Sequence, residues 1–371
     1  MRETARSFCD DRVRPEARQR DRMEEFPADL IAPMADLGFF GALIPSSYGG
    51  TDLDPWSYVA LMEELGAADA SVRSLVSVSG GLVGMSILRW GTEDQKEHWL
   101  PRIVAGELGA FGLTEAGAGS NPSELATRAV AVEGGWRITG SKMFITNGSR
   151  GALTMVFARA HRDGEDLGIT CFLVPQNAPG YSAPPIHGKL GMRGSDTAEV
   201  VLDEVLVGDT AVLGTLGGGL KVAFTALDHG RFSLAASCLG LAREALECAL
   251  SYALERQQWG GSIASKQLVQ ELLADMHVDI AAARGLVSQV AELKARGERF
   301  TVAASTAKLF VTEAAIRCAD RAVQIHGGYG YIDEYPVQRL LRDARVTTLY
   351  EGTSQVQRLA IGRALTGISA F

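Results

Sequence analysis

Tyr350-Glu351-Gly352-Thr353-Ser354-Gln355-Val356-Gln357 sets one carboxylate between an aromatic ring and a glycine, directly after the apolar and basic residues 339–349. Gly352 marks a turn, and the residues behind it enter a helix. Glu351 is one of 44 acidic residues, and a lone carboxylate at a helix entry is ordinarily a solvated one. Whether it carries chemistry depends on what the rest of the chain brings to it.

Outward from this stretch the chain is first helical. Val269, Leu272, Leu273 and Met276 recur at i, i+3, i+4 and i+7, the period of one helix face. Leu309, Ile316 and Val323 do the same on the next helix, and Leu239, Leu246, Leu250 and Ala253 keep a stripe on the one before. Long antiparallel helices of this kind make a bundle, and these stripes are read as its core. Gly217-Gly218-Gly219 separates the bundle from a different texture. Between about 108 and 213, short β-rich runs (129–132, 136–138, 142–145, 154–158, 169–174 and 199–207) alternate with Gly, Asn and Pro, which predicts a small barrel or sandwich. The first hundred residues return to helical spacing. Leu30, Met34 and Leu37 lie between Pro27 and Gly38, Gly49-Gly50 marks a loop, and helices are expected over 56–68 (amphipathic), 71–90 and 93–105. The expected fold is therefore α+β and mostly α, with a helical domain at 1–108, a β domain at 109–214 and a helical bundle at 215–371.

Composition narrows the function. The chain has 371 residues, 46% hydrophobic and 22% charged, with a net charge of −8. This is a globular balance, and its acidity argues against a general nucleic-acid binder. The charged N-terminus is unlike a secretory signal. Residues 74–88 are uncharged but too short and too rich in Ser and Gly for a membrane span, and 167–188 carry four prolines. Five scattered cysteines without a Cys-x-x-Cys fit a reduced, cytoplasmic protein. The six histidines show no metal-ligand spacing, so no metal is expected.

Four more stretches carry groups suited to a ligand. Residues 113–121 (LTEAGAGSN) are small and hydroxylated, and such residues let backbone N–H groups approach a ligand. Residues 142–148 (KMFITNG) end a strand at Asn-Gly, as a plain hairpin would too. Residues 256–260 (RQQWG) offer an arginine for a phosphate and a tryptophan for a flat ring. Residues 324–330 (QIHGGYG) end a helix in glycines. Each alone is an ordinary loop or cap.

Their order and spacing are another matter. The chain resembles the acyl-CoA dehydrogenase family from about residue 2 to 365. The likeness rests on LTEAGAGSN (113–121), KMFITNG (142–148), KLGMRGSDTAEVVLDEV (189–205), LDHGR (227–231), ERQQWG (255–260), VQIHGGYGY (323–331) and YEGTSQVQR (350–358). The resemblance implies a homotetramer, a dimer of dimers, holding FAD between domains and across a subunit boundary. Phe111, Leu113, Thr114, Gly119, Ser120, Phe144 and Thr146 would line the flavin. Arg256, Trp259, Gln324 and Gly328 would reach it from a neighbouring subunit, and Thr353 and Gln355 from their own.

Glu351 matches the family's catalytic base. In part of the family the base lies elsewhere, at the position that is Gly230 here. The resemblance implies that Glu351 removes the α-proton of an acyl thioester while flavin N5 takes the β-hydride. Burial should raise that carboxylate towards neutrality, and polarising the thioester carbonyl should stabilise the developing enolate. Asp228 and Arg231, with Ser120, match contacts to the pantetheine arm, and Tyr350 and Gly352 are expected among the substrate contacts. Ala116, Asn121, Phe144 and Trp259 depart from the common residues and bear on tuning of the flavin.

Arg73, within Ser71-Val72-Arg73-Ser74-Leu75-Val76-Ser77, resembles the arginine that glutaryl-CoA dehydrogenases pair with the distal carboxylate of their substrate. It also resembles a position in enzymes acting on carrier-bound hydroxyacyl groups. An internal ion pair is the plainer reading of the same arginine. The glutamate that accompanies it in the glutaryl enzymes falls at Gly66, which counts against decarboxylation. The expected activity is α,β-dehydrogenation of a short acyl-CoA, polar chains included, with an electron-transferring flavoprotein as acceptor and no nucleic acid or membrane as partner. Alternatives are the same chemistry on an acyl-carrier protein, an oxygen-using flavin enzyme, and a non-catalytic flavoprotein that binds nucleic acid.

Overall fold

Helix, sheet and helix follow one another along the chain in the computed structural model, which describes residues 1–369. Helix α1 (Arg2–Phe8) passes through a π-helical turn into α2 (Arg14–Met23), and α3 (Ile31–Asp36), α4 (Pro55–Ala68) and α5 (Ala70–Val76) follow. A π-helical segment, Ser77–Gly84, joins α5 to α6 (Met85–Trp90), and α7 spans Glu93–Val104. The α3 helix sits between Pro27 and Gly38 as expected, with Gly38 at φ 74°. The expectation for 56–68 needs correcting. The helix forms, but it is not amphipathic, because Leu61 through Ala68 are all buried. Asp54 caps α4 by accepting from the Trp56 and Ser57 N–H groups, and Asp69 caps α5 in the same way.

Eight strands form one sheet: β1 (Gly109–Gly112), β2 (Arg128–Val132), β3 (Gly135–Thr146), β4 (Leu153–Arg162), β5 (Glu165–Pro175), β6 (Tyr181–Ser182), β7 (Thr197–Gly208) and β8 (Val212–Leu213). The order is β6-β7-β3-β2-β4-β5-β8, with β1 added parallel to β4. One face curls over its own core, where Trp136, Ile138, Val156, Ala158, Phe172 and Val200 meet. The alternate residues Met155, Phe157 and Cys171 point the other way and pack on Ile44 of the loop after α3, on Val83, Ile87 and Trp99 of the leading helices and on Val222 beyond the sheet. This period of two binds sheet to helices. The runs 136–138 and 142–145, read as two strands, are one strand. It is bent by register shifts after Ile138 and after Lys142, and bulges of this sort re-aim side chains. The short strand β1 escaped the sequence reading because Gly-Ala-Phe-Gly has little β signature.

The bundle is built from α8 (Gly219–Glu255), α9 (Gln267–Ala295) and α10 (Thr301–His326), with a two-strand ribbon of β9 (Gln257–Gln258) and β10 (Gly261–Ser262) between α8 and α9. Helices α11 (Val337–Val346) and α12 (Ser354–Thr366) close it. The core stripe on α10 is not the expected one. Leu309, Ile316 and Val323 are half-buried, while Ala304, Ala307, Val311, Ala315, Cys318 and Ala322 are fully buried. Alanines let α8 and α10 approach closely, and the large residues flank that seam. On α8, Leu250 is exposed rather than in the core. Helix α4 packs against α8 so tightly that a Cβ on Gly66 would lie 2.2 Å from the Ser237 carbonyl oxygen, and one on Gly240 would lie 1.9 Å from that of Glu63.

The 21 residues Ala70–Trp90 are long and apolar enough to cross a membrane, but 89% of the apolar window is buried within the protein. The length expected of residues 74–88 was thus an underestimate, and the apolar character serves the core.

Candidate active site

After α11 the chain turns sharply through Tyr350-Glu351-Gly352. Glu351 has φ 56° and Gly352 has φ 90°, two left-handed residues in a row. A non-glycine residue there is disfavoured and must be held by its surroundings. Three side chains hold the carbonyls of this turn. Gln357 Nε2 donates to the Glu351 and Gly352 carbonyls at 3.2 and 3.1 Å, Arg231 Nε to Glu351 at 3.4 Å, and Lys308 Nζ to Gly352 at 2.7 Å. Thr353 then caps α12 through Oγ1, which accepts from the Val356 N–H at 3.2 Å.

The turn sends the Glu351 carboxylate towards α8. A Cβ placed on Gly230 would lie 2.7 Å from Glu351 Oε2 and 2.8 Å from Leu82 Cδ2. The carboxylate fills the space that glycine leaves. Oε2 has no hydrogen-bond partner, and the Glu351 N–H donates to none among the described residues. Burial pushes the carboxyl up to about 7, against the pull of Arg73, Lys308 and Arg231. A half-buried carboxylate near neutrality, with a free oxygen, has the properties of a general base.

Arg73 reaches this site from α5. It is 3% exposed and donates to Ser77 Oγ at 3.0 Å and Tyr350 Oη at 2.8 Å, and its Nε has no partner. It forms no ion pair among the described residues, so the internal salt bridge anticipated as its plainer reading is absent. A buried guanidinium that meets only hydroxyls retains unsatisfied charge. On α8, Arg231 pairs with Asp228 at 3.0 Å, and Asp228 also accepts from Thr301 Oγ1 at 2.7 Å. Asp228, Arg231, Tyr350, Gly352 and Arg73 thus surround Glu351. The wall beside them is apolar: Val78, Leu82 and Ala226 pack together, with Phe111 against them.

Phe111 leads to a second group. The loop 113–121 is tied down by Glu115, whose carboxylate accepts from the Ala126 and Thr127 N–H groups and Thr127 Oγ1, and pairs with buried Lys142 at 2.6 Å. The Met143 N–H donates to the Thr114 carbonyl at 2.8 Å, which joins loop to strand β3. At the second bulge of β3, Phe144 takes φ 61° and stands 67% exposed, with Thr146 beyond it. Nothing lies within 4 Å of a Cβ on Gly117 or Gly119, and Ser120 is exposed. An exposed aromatic, hydroxyls and an open glycine loop, beside the apolar wall at Phe111 and Leu113, suit a large flat ring system with a polar tail. The residues present fit FAD.

A third group lies where α8 and α10 end. Arg256, Trp259 and Gly328 line a cleft of about 880 Å³, with Tyr252, His326 and Tyr329 in its walls. Gln324 is exposed one turn before Gly328. Trp259 is 85% exposed, and Arg256 lies 5.5 Å over the Tyr329 ring. Among the described residues no hydrogen bond or ion pair joins this cleft to either other group. Neither Phe144 nor Glu351 lines this cleft. Gln355 is exposed beside half-buried Thr353 on the first turn of α12.

The sequence reading missed Lys308 and Gln357, both fully buried behind the turn at Glu351. Gln357 belongs to the quoted motif and was overlooked as a helix residue. Lys308 had one signal, a lysine on the alanine face of α10.

Models of three family domains match this chain. The acyl-CoA dehydrogenase N-terminal domain covers residues 1–107, the middle domain 110–205 and the C-terminal domain 217–366. The chain is 41% identical over 368 residues to an acyl-CoA dehydrogenase of Bacillus subtilis, spanning 99% of this chain and 97% of the relative. It is similar to the structure of butyryl-CoA dehydrogenase from Megasphaera elsdenii (TM-score 0.95, 39% identity, 98% and 96% of the two chains). It is also similar to a glutaryl-CoA dehydrogenase from Mycobacterium smegmatis in complex with FADH2 (TM-score 0.95, 37% identity, 100% and 94%).

Proposed function

This chain belongs to the acyl-CoA dehydrogenase family, and from that premise we propose that it desaturates a short acyl thioester at Cα–Cβ with Glu351 as the base. The observation that carries this reading is the Glu351 carboxylate itself: free at Oε2, facing Gly230, and pushed up to about 7 by burial. FAD, when bound, supplies the acceptor for the β-hydride. Phe111, Leu113, Thr114, Gly119, Ser120, Phe144 and Thr146 would hold it, with Thr353 and Gln355 on the same subunit.

The protein's own part is proton removal and charge stabilisation. Glu351 takes the α-proton as the C–H bond breaks. The free Glu351 N–H is available to the thioester carbonyl, where negative charge develops in the transition state. Asp228 and Arg231 fix the pantetheine arm beside the turn. Leu82, Val78, Ala226 and Phe111 keep water from the reacting carbons.

Arg73 supports a short chain ending in a polar or carboxylate group. Its charge lies buried beside Tyr350 without an anion, and a distal carboxylate would supply one. The close packing of Gly66 on Ser237 leaves no room for an acidic side chain there, so the reaction ends at the enoyl thioester.

The solitary cleft at Arg256, Trp259 and Gly328 supports a homotetramer in which it closes over a neighbour's FAD. An electron-transferring flavoprotein would take the electrons, in the cytoplasm. The test is anaerobic bleaching of the bound flavin by butyryl-, isovaleryl-, octanoyl- and glutaryl-CoA and by carrier-bound acyl groups. Bleaching by a short or glutaryl thioester, lost in Glu351→Gln, is expected. Arg73→Met should weaken glutaryl-CoA far more than butyryl-CoA. Bleaching that survives Glu351→Gln would remove the base assignment.

A further inference from the structure

Lys308 lies in the first half of α10 and is 0% exposed. Its neighbours on that face are Ala304, Ala307 and Val311. Among the described residues it forms no ion pair, and its ammonium makes one hydrogen bond, to the Gly352 carbonyl at 2.7 Å. Burying a charge without a counter-ion costs several kcal/mol, and a methionine of similar length would avoid that cost. Packing therefore does not account for a lysine here, and its single contact points to the turn that carries Glu351.

We infer that Lys308 is a positioning residue for the catalytic turn: it holds the left-handed pair Glu351-Gly352 by its bond to the Gly352 carbonyl, and its charge keeps the Glu351 carboxylate ionised. The inference rests on Glu351 being the base. The two left-handed residues need external restraint. Gln357 and Arg231 restrain the Glu351 carbonyl at 3.2 and 3.4 Å, and Gln357 also reaches the Gly352 carbonyl at 3.1 Å, but the shortest of the bonds to this turn is that of Lys308.

The charges around the carboxylate are few. Arg73 faces it from α5, Tyr58 from α4, and Arg231, with its partner Asp228, and Cys238 from α8. Tyr350 precedes it in the turn. Glu313 faces Lys308 from one turn further along α10 and is paired with Arg358 at 2.8 Å. Arg231 is paired with Asp228, and Arg73 is spread over Tyr350 and Ser77. Lys308 is thus a cation near Glu351 that forms no ion pair with a carboxylate among the described residues. Burial lowers the lysine itself to about 8, and the charge of Glu351 works the other way.

The sign follows from Coulomb attraction. A cation near the carboxylate favours its ionised form, so removing it moves the Glu351 titration upward from about 7. Two variants separate charge from contact. Lys308→Gln keeps a donor for the Gly352 carbonyl and loses the charge, whereas Lys308→Met loses both. Two readouts are used on the FAD-loaded protein: the pH profile of anaerobic flavin reduction by butyryl-CoA, and the infrared carboxyl band that disappears in Glu351→Gln, titrated without substrate. In Lys308→Gln both midpoints should rise by about one pH unit, a tenfold loss of ionised base at fixed pH, with the high-pH plateau near wild type. In Lys308→Met the plateau should fall about 10- to 100-fold as well, the cost of a base displaced by a fraction of an ångström.

Unmoved midpoints in Lys308→Gln overturn the inference, whether or not Lys308→Met folds. Flavin reduction that persists in Glu351→Gln overturns the base assignment, and the inference with it. The two failures are therefore told apart by one set of proteins.

Discussion

Gly230 and Glu351 occupy complementary space, and neither residue explains itself alone. Gly230 sits inside a long helix, where glycine is the weakest ordinary choice, and the Glu351 carboxylate stands where its side chain would have been. The sequence pointed to 351 for the proposed base and noted only that position 230 lacked a carboxylate. It held no sign that the glycine makes room. Gly230→Ala should therefore fold and keep its FAD, helix propensity being improved, while anaerobic flavin reduction slows about 100-fold, because a methyl 2.7 Å from Oε2 forces the carboxylate aside. A rate within a factor of two of wild type, measured by stopped flow, would contradict the geometry. Arg73 was visible from sequence as an arginine among small residues. That it has hydroxyl partners and no carboxylate among the described residues was a matter of which helices came to face it.

Strand β3 and the loop 113–121 act as one element through Glu115 and Lys142. The loop was legible as a ligand cradle from its glycines, but its anchor was not. Lys142 read as the first residue of a hairpin strand, and Glu115 as one carboxylate in a loop. In the fold both are buried, and Glu115 gathers four donors. Burial lowers Lys142 to about 8 while Glu115 works against that fall, so the pair depends on both members. Glu115→Gln leaves a buried ammonium without its counter-ion and should destabilise the protein by about 3–5 kcal/mol. Urea unfolding would measure this, and FAD should be lost on gel filtration as the cradle loosens. Lys142→Met added to that variant should restore part of the stability, since the double change removes the orphaned charge. A single variant as stable and as flavin-loaded as wild type would show that the loop holds its shape without the pair.

At the scale of the whole molecule, the exposed face at the end of the bundle matters most. Trp259, Leu268 and Tyr331 are 85%, 75% and 86% exposed, and the first two line the 880 Å³ cleft with Arg256 and Gly328. Large apolar groups gathered around a cleft mark an interaction surface. On the proposed arrangement a second subunit covers it. Light scattering should then give about four times the 39.5 kDa chain mass. Trp259→Ser with Leu268→Glu should shift the protein to smaller species and release FAD, with the far-ultraviolet helix signal unchanged. A tetramer that keeps its flavin after both changes would place the interface elsewhere.

The order of helices, sheet and bundle and the small-residue loops were present in local pattern, because turn chemistry, helical period and motif spacing are properties of neighbouring residues, while the base proposed at 351 came from the family resemblance. Three things were not. The buried stripe of α10 ran chiefly through its alanines rather than Leu309, Ile316 and Val323, since closeness to α8 decided which face was covered. The apolar helix Ala70–Trp90 was committed to the core by what packed around it. Lys308 and Gln357 became parts of the site only when α10 and α12 closed behind residue 351. Local sequence determines which groups a chain can offer. Burial and electrostatics depend on distances between residues far apart in the chain, and only the tertiary structure sets those.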